Sequence, residues 1–211
     1  MTIRGKLYPH RPFAYPEQPL LPFDGSGWNC TEPVFADVIR KLKPTVILEV
    51  GTWYGASAIH MARLALNQRG PLDQPVELIA IDTFLGSVYM WQRAEYDKHR
   101  VFGRLDVYPQ FLSNVIWTGL TNTITPLALD SVNAAYLLGQ AGIKADLIYV
   151  DGGHEYEHVI QDIACYKDLL RPGGVMLGDD VNFPDVHRAA VELLPGFTIQ
   201  DKKFIWTAPA A

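Results

Sequence analysis

Residues 45–68 read TVILEVGTWYGASAIHMARLALNQ, and this stretch decides the fold. Its first six residues form a largely apolar run, which is typical of a strand buried on both faces of a sheet. A glycine-containing turn follows between Gly51 and Gly55. The residues after the turn have the apolar spacing of a helix. The stretch therefore predicts a strand, a tight turn and a helix.

The same alternation continues on both sides of this unit. We predict a helix over 31–44 before it, and the hairpin FTIQDKKFIWTA over 197–208, turning near Asp201 and Lys202, closes the chain. The predicted strands between them lie at 76–82, 122–130, 145–151 and 174–180, and the predicted helices at 106–120, 131–142, 154–170 and 186–194. RPGG at 171–174 is predicted to end the helix that precedes it. This order predicts an α/β fold with a Rossmann-like, doubly wound, mostly parallel seven-stranded sheet and a C-terminal antiparallel hairpin.

The amino-acid composition of the chain limits the classes of function that it can have. The chain has 211 residues, of which 48% are hydrophobic and 19% charged, and its net charge is −5. These values indicate a globular protein, and they argue against a nucleic-acid or anionic-membrane surface. Residues 107–129 carry no charge, but polar residues and prolines interrupt them, so no membrane span is predicted. Cys30 and Cys165 are interpreted as free thiols in a reducing compartment, and we expect a soluble cytoplasmic protein.

Two segments depart from the regular pattern. Residues 1–30 form an irregular, proline-rich arm with several aromatic residues, which packs on its own domain, covers a site or contacts the partner in a homodimer. Residues 84–106 interrupt the alternation after the second strand. Their aromatic residues predict either a cover over the site or an exposed amphipathic segment.

Every predicted parallel strand ends beside a carboxylate. Because parallel strands deliver their carboxyl ends to one edge of the sheet, these groups are expected to line one rim. A single such carboxylate is commonly a helix cap, whereas a series of five strand ends is harder to explain by capping alone. The carboxylates are Glu49, Asp82, Asp130, Asp151 and the pair Asp179-Asp180.

An acidic rim favours some ligands over others. The turn after the first strand lacks the G-x-G-x-x-G pattern, because Trp53 stands where the middle glycine would be, and no P-loop motif is present. A diphosphate is disfavoured there, whereas the amine, sulfonium and ribose hydroxyls of S-adenosylmethionine suit the acids. Glu49 is expected near the amine, Asp82 at the ribose, and Asp130 or Ser131 at the adenine edge. The full set of predicted cofactor contacts is Glu49, Gly51, Thr52, Gly55, Ser57, Asp82, Thr83, Asp130 and Ser131.

Four motifs together resemble the class I S-adenosylmethionine-dependent methyltransferases. They are ILEVGTWYGASA at 47–58, AIDTFLGS at 80–87, LIYVDGGHEYEHVIQDI at 147–163 and LLRPGGVMLGDD at 169–180. The resemblance is to the metal-dependent small-molecule and sugar O-methyltransferase branch of macrocin, mycinamicin and novobiocin type, with cephalosporin-hydroxylase-like proteins. It implies that residues 31–211 form a methyltransferase domain that transfers a methyl group to a hydroxyl of a small-molecule acceptor, such as a sugar or glycoside.

The same resemblance implies a divalent metal, Mg²⁺ or another cation, held by Asp151, Asp179 and Asp180. Magnesium prefers hard oxygen ligands, which agrees with this set. A metal lowers the pKa of an acceptor hydroxyl, and a general base adds to the effect. His154, three residues after Asp151, is predicted as the catalytic base or as the residue that orients the acceptor, with Asp151 as the second candidate.

Three other functions stay open at the level of sequence. A protein of this fold could bind S-adenosylmethionine or another nucleoside without catalysis. A nicotinamide-dependent oxidoreductase is disfavoured by Trp53 and the acidic rim. A zinc hydrolase is suggested by the H-E-x-x-H pattern from His154 to His158. Glycines directly before His154 place it at a helix start, which argues against that function because the motif needs both histidines inside one helix.

Overall fold

The apolar run that begins at residue 45 forms strand β1, Val46–Val50, and all five residues of the strand are buried. A computed structural model describes residues 2–70 and 72–210. The other strands are β2 Glu77–Asp82, β3 Arg100–Val101, β4 Arg104–Leu105, β5 Ile124–Ala128, β6 Ala145–Val150, β7 Leu170–Gly178, β8 Thr198–Gln200 and β9 Lys203–Thr207. The α-helices are α1 Ile3–Leu7, α2 Pro33–Leu42, α3 Ala56–Leu66, α4 Val88–Trp91, α5 Tyr108–Trp117, α6 Ser131–Gln140, α7 Tyr156–Lys167 and α8 Pro184–Leu193.

Seven of these strands form one sheet in the order β5-β2-β1-β6-β7-β9-β8. The first five are parallel, and β9 runs antiparallel to both β7 and β8. The predicted fold class is thereby confirmed. The chain moves outward from β1 to β5 and then returns to β6 on the other side of β1, so the topological switch point lies between β1 and β6. Ligands of open α/β sheets bind outside the carboxyl ends of the strands at this point.

The core fills both faces of the sheet. Neighbouring residues of a strand point to opposite faces, so Ile47 packs with helices α2 and α3 while Leu48 packs on the side of α6 and α7. On β6, Tyr149 likewise packs on the side of α2 and α3, and Ile148 packs on the side of α6 and α7. Burial on both faces explains why the central strands have continuous apolar sequences.

The C-terminal hairpin turns at the two predicted residues. Asp201 and Lys202 have φ values of 50° and 62°, and two consecutive positive values match the right-handed twist of a two-residue hairpin. The Asp201 carboxylate also accepts a hydrogen bond of 3.0 Å from the Val34 amide at the start of α2. The hairpin and the first helix of the domain are therefore fastened together.

Two local predictions are wrong. RPGG does not separate a helix from a strand that starts at Gly174, because α7 already ends at Lys167 and β7 begins at Leu170 and includes these residues. The β6–β7 register shifts between Ala145 and Leu147, and the Gly174 carbonyl accepts a hydrogen bond from the Ala208 amide, so the segment is an irregular part of the sheet. Residues 1–30 are also not wholly irregular, because Thr2 caps the short helix α1.

The N-terminal segment covers the edge strand β5. Arg4 and Tyr15 donate hydrogen bonds to the Ile124 carbonyl over 2.7 Å and 3.1 Å, and Tyr8 donates to the Pro126 carbonyl over 2.7 Å. These side chains occupy backbone acceptors that an edge strand would otherwise expose. The division into an arm of 1–30 and a domain of 31–211 stays a prediction, with the arm lying on its own chain over the residues described.

In the part of the chain that the structure describes, no helix is long and apolar enough to cross a bilayer. Cys30 and Cys165 are both free thiols, as predicted.

Candidate active site

The turn after β1 lies at the switch point and requires its glycines. Gly51 has a φ of 83°, and a Cβ there would lie 2.1 Å from the Asp151 carbonyl oxygen. Gly55 has a φ of 84°, and a Cβ there would lie 2.9 Å from the Phe111 ring. The first glycine thus lets the loops after β1 and β6 touch, and the second lets α3 begin against α5. Between them, Trp53 takes a left-handed φ of 49°.

Asp82, at the end of β2, holds this glycine loop. One carboxylate oxygen accepts hydrogen bonds from the Thr52 and Trp53 amides over 2.9 Å and 3.0 Å. The other oxygen accepts from the Phe84 amide over 2.7 Å. A carboxylate has about four acceptor positions, so one remains for a ligand hydroxyl. The predicted ribose contact stays a prediction, and the structure adds an ordering role for Asp82.

Glu49 lies beneath the loop and is fully buried. It accepts hydrogen bonds from the hydroxyls of Thr52 and Ser57. Burial raises the pKa of Glu49 to about 7, although these two hydrogen bonds oppose the shift. The predicted contact of Glu49 with the cofactor amine is untested, and in this geometry its carboxylate faces the loop.

A cavity of about 130 Å³ opens beside Asp82. Thr83 lines it, together with Phe84, Arg104, Tyr108 and Ala128. It lies beyond the carboxyl ends of β2 and β5.

Asp130 and Ser131 occupy the start of α6. Asp130 is exposed and accepts hydrogen bonds from the Asn133 backbone amide over 3.0 Å and its side-chain amide over 2.7 Å, which makes it the N-cap of the helix. The Ser131 carbonyl accepts from the Tyr166 hydroxyl. Capping accounts for the position of Asp130 in this structure, and its contact with adenine stays a prediction.

Across the switch point, Tyr149 connects two of the predicted metal ligands. Its hydroxyl lies 3.1 Å from a carboxylate oxygen of Asp151 and 3.1 Å from one of Asp179. Burial raises the pKa of Asp151 well above its ordinary value, and the Asp179 and Glu49 charges add to that shift. The hydroxyl carries one proton, so it can donate to only one of these two carboxylates at a time.

The countercharge of Asp179 is Lys203, the first residue of β9. The Lys203 side chain is fully buried, and its ammonium lies 2.9 Å from the Asp179 carboxylate. The ammonium also donates to the Glu32 carboxylate and to the Asn29 carbonyl, the latter over 3.1 Å. Burial alone would lower the pKa of Lys203, but the hydrogen bonds to Glu32 and Asp179 raise it overall, so the group is a cation.

His154 and Asp180 form a second pair, closer to solvent. The two side chains are 3.2 Å apart, from His154 Nε2 to Asp180 Oδ2, and the imidazole stacks on Phe183 with ring centroids 5.2 Å apart. Partial burial and the Asp179 charge raise the pKa of Asp180, while His154 lowers it. Nε2 is the ring nitrogen on the Asp180 side, so Nδ1 lies on the other side of the imidazole.

The metal set implied by the resemblance does not fit a divalent cation as its members are arranged. One carboxylate oxygen of Asp179 accepts hydrogen bonds from the Lys203 ammonium and the Asp180 amide. The other oxygen accepts from the Tyr149 hydroxyl. Asp180 is paired with His154. Over residues 2–70 and 72–210, no three His, Cys, Asp or Glu side chains are grouped so that they could hold a metal ion.

The H-E-x-x-H pattern does not form a zinc site either. Helix α7 begins at Tyr156, so His154 precedes it. His158 pairs with Glu155 over 3.1 Å, whereas His154 pairs with Asp180. The two histidines thus point to different partners, and the structural basis for a zinc hydrolase is absent among the described residues.

Segment 84–106 reaches the glycine loop through some of its aromatic residues. The His99 ring nitrogen Nε2 lies 2.5 Å from the Tyr54 hydroxyl, and Tyr96 packs edge-on against Trp53 at 5.9 Å. From the other side, Trp28 of the N-terminal segment lies 6.0 Å from Trp53. Phe102, by contrast, is fully exposed. Only part of the segment therefore covers the loop.

The sequence interpretation missed the residues that connect the acids. Tyr149 lies in the apolar strand that opens the 147–163 motif, where nothing marks its hydroxyl as functional, and Glu32 lies far from the rim in sequence. Lys203 carried a signal, because a lysine opens a strand whose next three residues are Phe, Ile and Trp. A charge in such a strand indicates either an exposed edge or a buried partner.

Comparison with known proteins identifies the family of the chain. A family model described as a methyltransferase domain matches residues 48–181, from within β1 into the loop after β7. The chain belongs to this methyltransferase domain family, and the predicted resemblance is confirmed.

One curated relative, the uncharacterized protein y4gI of Sinorhizobium fredii (strain NBRC 101917 / NGR234), is 29% identical over 155 residues. The match covers 74% of this chain and 15% of that protein, so the chain spans less than a sixth of its relative's length.

Three solved structures share the fold. CalS11, a calicheamicin methyltransferase, has a TM-score of 0.61 at 19% identity, covering 82% of this chain and 77% of its own. The O-methyltransferase TomG of Streptomyces achromogenes, involved in tomaymycin synthesis and solved with S-adenosylmethionine, has a TM-score of 0.57 at 17% identity, covering 84% and 78%. An O-methyltransferase of Bacillus cereus, solved with S-adenosylhomocysteine, has a TM-score of 0.58 at 18% identity, covering 86% and 83%.

Proposed function

We propose that this chain binds S-adenosylmethionine and transfers its methyl group to a hydroxyl of a small molecule. One observation carries the proposal: the glycine loop, fastened to Asp82, touches at Gly51 the loop after β6 that leads to the His154–Asp180 pair. Membership of the methyltransferase domain family supports it. So do the S-adenosylmethionine and S-adenosylhomocysteine bound by two proteins of the same fold.

The cofactor half of the proposed site is the loop from Gly51 to Gly55. S-adenosylmethionine, when bound, supplies a methyl group activated by a sulfonium. The free acceptor position of Asp82 would take a ribose hydroxyl, and the cavity beside Thr83 would take the part of the nucleoside beyond it. The acidic surroundings favour a cationic ligand over a diphosphate.

The acceptor half is the surface next to His154. In the proposed step the acceptor oxygen forms a bond to the methyl carbon, and the carbon–sulfur bond breaks with its electron pair staying on sulfur. The hydroxyl proton passes to Nδ1 of His154, and Asp180 stabilises the resulting imidazolium. Asp151 is the second candidate for a contact with the acceptor. Correct placement of the two reactants supplies most of the rate.

For the acceptor we propose a sugar or glycoside hydroxyl. The resemblance to sugar O-methyltransferases supports this class. A carbohydrate would also find hydrogen-bond acceptors at Asp180 and His154, both of which are partly accessible. Beside the glycine loop, the aromatic group of Trp28, Trp53 and Tyr96 offers a face against which an apolar ring can pack.

The test combines binding with turnover. Calorimetry with S-adenosylmethionine measures the cofactor half, and release of S-adenosylhomocysteine from a panel of glycosides and phenols measures the acceptor half. We expect His154→Ala to keep cofactor affinity and to lose about 10²- to 10⁴-fold in turnover. The exposed His158→Ala variant is the matched control and should stay fully active. Binding without turnover on any acceptor would favour a nucleoside-binding protein without catalysis.

A further inference from the structure

The most unusual feature of the site is a lysine ammonium buried among acids. Lys203 has no exposed side-chain surface, and it projects from the hairpin into the space between β7 and the start of α2. Its three N–H donors match three acceptors: the carboxylates of Asp179 and Glu32 and the carbonyl of Asn29. The ammonium is therefore fully bonded and has no donor left for a substrate.

The rings around the ammonium also favour a cation. Its nitrogen lies 5.2 Å from the centroid of Phe35 and 5.7 Å from that of Tyr149, within the range of cation–π attraction. These rings come from α2 and β6, so groups from three parts of the chain enclose the charge. An enclosure of this kind fixes the position of the cation, whereas a surface lysine would move freely.

The charge lies where the resemblance would place a metal. Asp179 is bonded to Lys203 directly, and the Lys203 charge also acts on both Asp151 and Asp180. A divalent cation bound to these three acids would have to approach a buried ammonium of the same sign. It would also have to displace the hydroxyl of Tyr149 from Asp179.

We propose that the Lys203 ammonium is the fixed cation of this site in place of a divalent metal, and that methyl transfer by this chain needs no metal. The inference rests on the proposed function. In it Lys203 is a positioning residue: its ammonium holds the Asp179 carboxylate in place, and the backbone amide of Asp180 donates to the same carboxylate over 2.8 Å. Lys203 thereby fixes the neighbouring Asp180, which orients His154.

The first test uses the unmodified chain and Mn²⁺ alone, followed by electron paramagnetic resonance of free and bound ion. We expect no saturable binding in the micromolar range. Calorimetric affinity for S-adenosylmethionine and turnover should be the same in EDTA and in millimolar Mg²⁺. Micromolar Mn²⁺ binding that Asp179→Asn abolishes would overturn the inference, as would turnover that EDTA removes and Mg²⁺ restores.

The second test removes the cation. Lys203→Met keeps a long apolar side chain and leaves Asp179, Asp151 and Asp180 without their countercharge, so this variant should gain a Mn²⁺ site. The exposed Lys202→Met on the same turn is the matched control and should gain none. A folded Lys203→Met variant that binds Mn²⁺ no better than the unmodified chain would contradict the assignment. If Lys203→Met does not fold, the first test decides.

The Mn²⁺ readout does not depend on the proposed activity. A chain that binds no S-adenosylmethionine would refute the proposed function, while the resonance titration would still report whether Lys203 excludes a divalent cation from the acids.

Discussion

The Asp179 carboxylate at the end of β7 and the Lys203 ammonium at the start of β9 lie 2.9 Å apart, and both side chains are buried. The strands that carry them are neighbours in the sheet and run antiparallel. The ion pair therefore ties the C-terminal hairpin to the acidic edge of the parallel strands. It makes the hairpin part of the site as well as the end of the sheet.

Removing one partner of this ion pair should lower the stability of the fold. Lys203→Met leaves Asp179 and Glu32 without their shared cation, and removal of one partner from a buried ion pair typically costs about 3 to 5 kcal/mol in the free energy of unfolding. Urea denaturation followed by tryptophan fluorescence measures the loss. Lys202→Met, on the exposed side of the turn, should change stability by less than about 0.5 kcal/mol. Equal losses in the free energy of unfolding of the two variants would show that the buried ion pair does not stabilise the fold.

The raised pKa of Glu49 should make the stability of the folded chain depend on pH. Its pKa is about 7 in the folded chain, against an ordinary value of 4.5. Between these values the folded state binds more protons than the unfolded state, so this residue lowers the free energy of unfolding as pH rises. Glu49→Gln removes the effect, and its stability relative to the unmodified chain should rise by up to about 3 kcal/mol between pH 4.5 and pH 8.

Denaturant titrations at several pH values measure this difference, with the exposed Glu157→Gln as control. A stability difference between Glu49→Gln and the unmodified chain that does not change with pH would show that Glu49 ionises normally.

Gly51 predicts a steric effect at the switch point. Gly51→Ala places a Cβ 2.1 Å from the Asp151 carbonyl oxygen, in addition to its left-handed φ of 83°. Gly119→Ala is a matched control, because that glycine has a φ of 71° and open space around it. We expect the control to lose about 1 to 2 kcal/mol from the backbone conformation alone. Gly51→Ala should lose more than about 4 kcal/mol or fail to fold. Similar losses in the two variants would mean that the loops can separate.

Asp82 predicts a binding effect. Asp82→Ala removes the acceptor proposed for the ribose and leaves the Thr52 and Trp53 amides without a partner. Because a hydrogen bond to a charged group contributes about 1.5 to 3 kcal/mol, affinity for S-adenosylmethionine should fall about tenfold to a hundredfold. Asp130→Asn is the comparison, since asparagine also caps a helix and any change in affinity would then reflect the lost charge at the adenine edge.

Most of the fold was predictable because the sequence is locally consistent with it. The apolar run before Glu49 and the glycines after it are sufficient to predict β1, the tight turn and α3. The Asp201-Lys202 turn was predicted from the hairpin pattern. RPGG was assigned wrongly because glycine and proline indicate a break, whereas hydrogen bonds to residues 208 and 209 keep this irregular segment in the sheet. Pairing between distant segments overrides local preference there.

The site was predictable only in part. Carboxylates at strand ends follow from topology, so Asp82, Asp151 and Asp179 could be placed on one rim. Their partners could not be predicted, since Lys203 and Glu32 meet only after the hairpin packs against α2. Nothing local in the sequence indicates that Asp130 caps α6 while Asp82 holds the glycine loop, because both are acids after a strand.

The decisive measurement is a calorimetric titration of S-adenosylmethionine into the purified chain, repeated with Asp82→Ala. We expect one site of micromolar affinity in the unmodified chain, present in EDTA and weakened in the variant. Absence of binding at millimolar cofactor, or equal affinity in the two proteins, would contradict it.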